Sequence, residues 1–374
     1  MQFTRRSFIA ASVCSIASPS FAADKQQKVF VAAYQGTGKS AGIHSFQFNP
    51  VTGAMSKPEL AVKTRYPGNL YVHPDGETLY SGSGDEGIFD GTHFLASYKI
   101  EGLKLQELNK KSSGGFRPSH GAVDNNGKYL VIPNYRSDNI VAFNLNDDGS
   151  LGEMASHIGK PLGTQSWRAR SWDKPHIALF SGNERYVVVA EINRSRLKVY
   201  RFNNKNGAFE YHSEERTRNS SGPRHISFHP SYQYVYSSDE EGSAISSFSW
   251  DEQGGTLKHL QTIKSIPYGF RGDNDPSHIE VDPTGRFLYL ANRGHNSIVM
   301  CSINQDNGLL SVLGHFPLRA ESWCFQIDPT GRWVLVANIS THNVVSLKID
   351  QKTGLLFRAG HEIRISNPAC LRII

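Results

Sequence analysis

Pro276-Ser-His-Ile-Glu-Val-Asp-Pro-Thr-Gly-Arg-Phe-Leu-Tyr-Leu-Ala-Asn-Arg-Gly-His-Asn-Ser-Ile-Val-Met300 decides how the chain folds. Two strand-like runs are split by the turn Asp282-Pro-Thr-Gly285, a second turn follows at Asn292-Arg-Gly-His295, and a third run begins at Ser297. Period-two patterning between such turn residues marks antiparallel strands. The same order recurs on both sides. Upstream, Pro67-Gly-Asn69 leads to His73-Pro-Asp-Gly and Thr78-Leu-Tyr, and Pro118-Ser-His120 leads to Asn125-Asn-Gly and Tyr129–Asn134. Lys174-Pro-His176 leads to Tyr186–Glu191, and Gly222-Pro-Arg-His225 leads to His229-Pro and Tyr234–Asp239. Downstream, Glu321-Ser-Trp-Cys324 leads to Asp328-Pro-Thr-Gly and Trp333–Asn338. Copies close on glycine turns such as Asp148-Gly-Ser-Leu, Asp306-Asn-Gly-Leu and Lys352-Thr-Gly-Leu.

The openings recur every ~46 to 57 residues, the length of one propeller blade. Six modules are complete and the seventh is split between the chain ends. Lys28-Val-Phe-Val-Ala-Ala-Tyr34 and Gly42-Ile-His-Ser-Phe46 read as a module lacking its first strand, while Asn367-Pro-Ala-Cys-Leu-Arg-Ile-Ile374 reads as a first strand with nothing after it. The prediction is an all-β, seven-bladed β-propeller of four-stranded blades, with the C-terminal strand completing the N-terminal blade and removing two open edges. Residues 24–374 form one domain in this reading, because no helical period separates the strands as an α/β barrel would require.

Composition narrows the function classes. The 374 residues include 34 glycines and 11% aromatics, as a chain of many strands and turns does. Residues 1–23 stand apart. Arg5-Arg6 precedes a short apolar run from Phe8, and Ser20-Phe-Ala-Ala23 offers a cleavage site, so the segment reads as an export signal. The run is too short to cross a bilayer. Thr4-Arg-Arg-Ser-Phe-Ile9 resembles the twin-arginine signal of bacteria, which implies the twin-arginine export machinery as a partner and the periplasm as destination. Loss of Arg5 and Arg6 takes the formal charge from +6 to about +4. No basic cluster is interleaved with aromatics, so no nucleic-acid partner is expected, and no second apolar run calls for membrane insertion. Beyond Cys14 in the signal, Cys301, Cys324 and Cys370 show no zinc spacing, and Cys324 and Cys370 fall on neighbouring blades as a bonded pair or as touching thiols.

Corresponding positions of the blades form rings around the channel. Aligned on their turns, Asn69, His120, His176, His225, His278, Cys324 and Cys370 form one ring, and Tyr135, Ile192, Glu240, Arg293 and Ile339 a second. Four of the 15 histidines in one ring point either to hydrogen bonds between blade openings or to proton transfer in the channel. Glu240 and Arg293, with Arg224 beside His225, add a carboxylate and two fixed cations able to steady an oxyanion. A metal held by these histidines is set aside, because a ring separates non-adjacent blades too widely for one ion. No glycine-rich phosphate loop or Gly-x-Ser-x-Gly elbow is present, and no cofactor is expected.

Gly222-Pro-Arg-His-Ile-Ser-Phe-His-Pro230, Asp282-Pro-Thr-Gly-Arg-Phe-Leu-Tyr-Leu-Ala-Asn-Arg-Gly-His295 and Asn367-Pro-Ala-Cys370 resemble the lactonase family of seven-bladed propellers. That family includes 6-phosphogluconolactonase and the fungal carboxy-cis,cis-muconate lactonising enzyme, and the resemblance covers residues 28 to 374. It implies a cofactor-independent enzyme opening or closing a lactone ring, with catalytic roles on His176, Arg224, Glu240 and Arg293. His225, His120, His278 and Tyr135 support them. Glu191-Ile-Asn193 stands where the family commonly has Asp-Leu-Gly, and Asp239-Glu240 where it has Asn-Glu, which places substrate shape in question. The expected reaction is hydrolysis of a sugar lactone, with Glu240 preferred as base and His176 as acid, an assignment open to reversal. A muconate-type cycloisomerase and a noncatalytic propeller binding carbohydrate or protein are the alternatives.

Overall fold

The computed structural model describes residues 25–34, 41–83, 93–159, 173–218 and 220–374, so the expected export signal lies outside the described residues. The strands assemble into seven four-stranded antiparallel sheets. In six of them the strands follow chain order, spanning 67–112, 122–159, 175–216, 223–264, 275–317 and 322–364. The remaining blade takes Pro368–Ile373 as its inner strand, paired with Gln27–Ala33, followed by Gly42–Phe48 and Glu59–Val62. Closure by the C-terminal strand is therefore as predicted. Among the described residues no helix is long and apolar enough to cross a membrane.

Burial follows from stacking sheet on sheet. The second strand of each blade is covered on both faces, and Tyr186–Glu191 and Trp333–Asn338 are buried at every position. A continuous apolar run is the pattern of a strand with no solvent face. The core consists of interfaces between neighbouring blades. Tyr289, Ile298 and Met300 of one blade pack with Phe325, Val334 and Leu347 of the next. The closure interface has the same makeup, joining Trp333 and Leu335 to Val29, Phe46 and Leu371.

Outer turns lock these interfaces. Gly255 has φ of +65°, and a Cβ there would lie 2.2 Å from the Tyr186 ring of the preceding blade. Gly53 makes the same approach to Trp333, whose Nε1 donates to the Pro50 carbonyl at 2.9 Å across the closure. Glycine is needed at both places because the backbone is left-handed and an aromatic face occupies the side-chain space.

Cys301, Cys324 and Cys370 are free and buried. The Sγ atoms of Cys324 and Cys370 are 4.0 Å apart, so of the two arrangements expected for them the structure has touching thiols.

Candidate active site

Inner strands open with a bulge, and the bulge builds the site. Pro175 pairs with Glu191 and Ile177 with Ala190, leaving His176 without an opposite residue. Pro223 pairs with Asp239 and His225 with Ser238, which leaves Arg224. The same count leaves Gly68, Trp323 and Ala369 in three other blades. An extra residue in one strand kinks it and re-aims a side chain. All five of these residues line one cavity of about 290 Å³ where the inner strands begin. Ser119, which also follows its blade's opening proline, joins them.

This geometry corrects the ring read from the turns. Counted from the opening proline, His120, His225 and His278 are second residues, whereas His176 is a first residue, level with Arg224. Ile177 takes the place assigned to His176, and a parallel bridge joins it to His120. The two blades also exchange backbone bonds there, His120 N to His176 O at 3.1 Å and Ala178 N to His120 O at 2.9 Å.

A second correction concerns distance. His120 and His225 belong to non-adjacent blades, yet their ring centroids are 4.1 Å apart, and His176 lies 5.1 Å from His225. Nitrogen atoms of His120, His176 and His225 all fall within 4.8 Å of one another. Separation by the ring therefore does not rule out a shared ion. The hydrogen bonds bear on it more directly. His225 Nε2 accepts from Arg224 Nη1 at 3.1 Å, and its Nδ1 is 3.0 Å from His278 Nδ1. Both nitrogens of His225 are thus engaged, and an ion at this cluster would have to displace a guanidinium.

Burial holds the imidazoles of His120, His176 and His225 well below their usual range, and the positive charge of Arg224 acts in the same direction. Desolvation and a nearby cation both oppose protonation, so the three rings are neutral near pH 7. His176 Nδ1 lies 3.2 Å from Ser119 Oγ, and its ring meets Tyr135 edge-on at 5.2 Å.

Glu240 follows the strand Tyr234–Asp239, and its amide donates to Gly222 O at 2.8 Å. Its Oε2 lies 2.8 Å from Arg224 Nε and 3.2 Å from Arg293 Nη2. Burial, reinforced by Arg293, pushes the Arg224 guanidinium down to about 10, and Glu240 works against that shift. Arg293, the last residue of Phe287–Arg293, donates from Nε to Asp275 O at 3.0 Å. Its Nη2 is buried and makes no hydrogen bond despite the nearby carboxylate, because the approach is poorly aligned. A buried donor without a well-aligned acceptor is uncommon in folded proteins.

His176, Arg224, Glu240, Arg293, His120 and Tyr135 all line the cavity. His225 sits behind Arg224 with no exposed surface, and His278 lines a second cavity of about 370 Å³ further along the inner strands. Ile192 and Ile339 of the second ring do not contribute. Four contributors were missed from sequence: Tyr34, Arg117, Ser119 and Trp323. Tyr34 and Trp323 form an aromatic wall with centroids 5.8 Å apart. Trp323 occupies the bulge position and Ser119 the matching place after its opening proline, so counting from the blade opening would have found them.

The comparisons agree with this architecture. The family model "Lactonase, 7-bladed beta-propeller" matches residues 28–373. The 6-phosphogluconolactonase of Bacillus subtilis is 31% identical over 288 residues, 74% of this chain and 79% of that protein. That of Formosa agariphila is 29% identical over 313 residues, 78% and 84% of the two chains. Among solved structures, the periplasmic gluconolactonase PpgL of Pseudomonas aeruginosa superposes with a TM-score of 0.85 at 23% identity, covering 94% of this chain and 99% of that one, which supports the fold. Strand order, ring closure and the span of the match lead to one assignment: the chain belongs to the lactonase family of seven-bladed β-propellers.

Proposed function

We propose that the protein hydrolyses an unphosphorylated sugar lactone in the periplasm, after export through the signal at residues 1–23. Family membership supports lactone hydrolysis in general. The export signal favours an aldonolactone formed outside the inner membrane over a phosphorylated cytoplasmic one. The observation that carries the mechanism is a neutral, partly buried imidazole, His176, sharing a cavity with two guanidiniums that meet at one oxygen of Glu240.

In this mechanism the sugar ring rests on Tyr34 and Trp323 and its carbonyl oxygen points at Arg293 and Arg224. Ser119 Oγ accepts the Nδ1–H of His176, leaving Nε2 to take a proton from water as that water attacks the acyl carbon. The guanidiniums stabilise the oxyanion. When the tetrahedral intermediate collapses, the acyl carbon–ring oxygen bond breaks and the imidazolium returns its proton to that oxygen. Its proximity to Arg224 makes the imidazolium a strong acid, suited to protonating an alkoxide. The hydroxy acid then loses a proton to solvent. Glu240 serves as the anchor that holds both guanidiniums, because its oxygen is already shared between them. His176 thereby takes both the acid role expected for it from sequence and the base role expected for Glu240.

The test is hydrolysis of glucono-δ-lactone, γ-aldonolactones and 6-phosphogluconolactone, corrected for spontaneous opening. His176→Gln is expected to lower kcat by about 10²- to 10⁴-fold and Arg293→Gln by about 10²- to 10³-fold. A wild-type protein that accelerates none of these lactones, or variants that match it, would defeat the reading.

A further inference from the structure

The tautomers behind Arg224 are fixed by what each atom is able to do. A guanidinium only donates, so the 3.1 Å contact from Arg224 Nη1 requires a lone pair on His225 Nε2. His225, fully buried and neutral, then carries its proton on Nδ1. That proton points along the 3.0 Å contact to His278 Nδ1, which must accept. His278 consequently holds its own proton on Nε2, and this nitrogen lies 3.8 Å from Glu280 Oε2, an electrostatic contact longer than a hydrogen bond. The Glu280 oxygen is itself moored, accepting the Ile327 amide of the neighbouring blade at 3.0 Å. The sequence therefore runs Glu240–Arg224–His225–His278–Glu280, with a carboxylate at each end. It joins the substrate cavity to the second cavity, which Glu280 and His278 line.

We propose that His225, His278 and Glu280 form a positioning chain that fixes the Arg224 guanidinium at the substrate face through one allowed set of imidazole tautomers. This rests on the reading of Arg224 as a substrate-facing cation. None of the three residues lines the substrate cavity, so they act through Arg224 and not on the lactone. Arg224 has Nε committed to Glu240 and Nη1 to His225, which leaves its remaining N–H groups with a defined direction. A bidentate donor held at two points loses little freedom when an oxyanion forms beside it. Outside this chain, the His225 backbone N–H donates to Ser238 Oγ at 3.1 Å.

Two measurements test the chain. In protein with ¹⁵N-labelled histidine, two-bond imidazole correlation spectra of the wild type are expected to show His225 and His278 as opposite tautomers. His225 should have a pyrrole-type Nδ1 and pyridine-type Nε2, and His278 the reverse. Kinetics on the best lactone are expected to fall about tenfold in kcat, with KM little changed, for His278→Leu, which offers no acceptor. His278→Gln, which offers a carbonyl acceptor to His225 Nδ1–H, should stay within about threefold of wild type. A His225 ring protonated on Nε2 overturns the proposal, as does a glutamine variant as impaired as the leucine one. If no lactone is turned over, the proposed function fails while the spectra still decide the chain.

Discussion

Asp239 has no exposed surface and accepts hydrogen bonds from Ser237 and Ser246 hydroxyls at 2.6 and 2.5 Å. Burial pushes its carboxyl up to about 7 in spite of these hydroxyls. The unfolded chain releases this proton near pH 4 and the folded chain near 7, so stability falls as pH rises through that window and the loss is complete above it. Asp239→Asn keeps the shape and removes the ionisation. Its melting temperature should gain on wild type between pH 5 and pH 8, by on the order of a few °C. Equal differences at both pH values would contradict this. Sequence reading located Asp239 and Glu240 correctly at a strand end but assigned His176 to the wrong ring. The error has a local origin. Ile177 stands four residues before the turn residue Ser181 as His278 stands before Asp282, but Ser181-Gly-Asn-Glu184 lacks the Asp-Pro-x-Gly letters and a histidine directly follows Pro175, so the motif can be misread by one residue. Tyr34 carried a positional signal that went unread, because it follows Gln27–Ala33 as Tyr135 follows Tyr129–Asn134, and its amide donates to Asn367 O at 3.0 Å as that of Tyr135 does to Arg117 O at 2.9 Å. Arg117, by contrast, precedes its blade's opening proline and falls in neither ring.

Strand against strand, the same turn glycine meets an aromatic residue of the preceding blade at several interfaces, including Gly308 against Tyr234 and Gly354 against Phe287. Gly255→Ala would drive a methyl group into the Tyr186 ring and require a left-handed alanine. A loss of about 1–3 kcal/mol is expected in chemical denaturation, while Gly102→Ala, with a similarly positive φ but open space around it, should lose less. Similar losses for both would show that backbone strain alone sets the cost. The strands themselves were legible because each second strand is an unbroken apolar run between turn residues. What the pattern could not convey was how far the inner strands lean together. His120 begins a blade whose regular inner strand is only Ala122–Val123, and its backbone pairs with the next blade instead. Contact between rings on non-adjacent blades follows from that departure.

For the whole molecule, the histidine cluster makes acid the weak direction. His120, His176 and His225 resist protonation when folded but take up protons near pH 6.5 once unfolded, so stability falls as pH drops below that value. The shift at Asp239 acts oppositely but is one group against three. The denaturation midpoint should fall between pH 7 and pH 5, and His120→Gln should make that fall shallower by removing one of the three proton uptakes. An unchanged slope in the variant would refute the assignment of His120 to the neutral set. Ring closure has a further consequence, for the order of biosynthesis. The strand that completes the first blade, Pro368–Ile373, is made after every other strand of the ring. Until it leaves the ribosome, Gln27–Ala33 has no inner partner and the circle stays open, so the native topology is acquired only once all seven blades have been synthesised. Any apparatus that handles the nascent chain meets an arc.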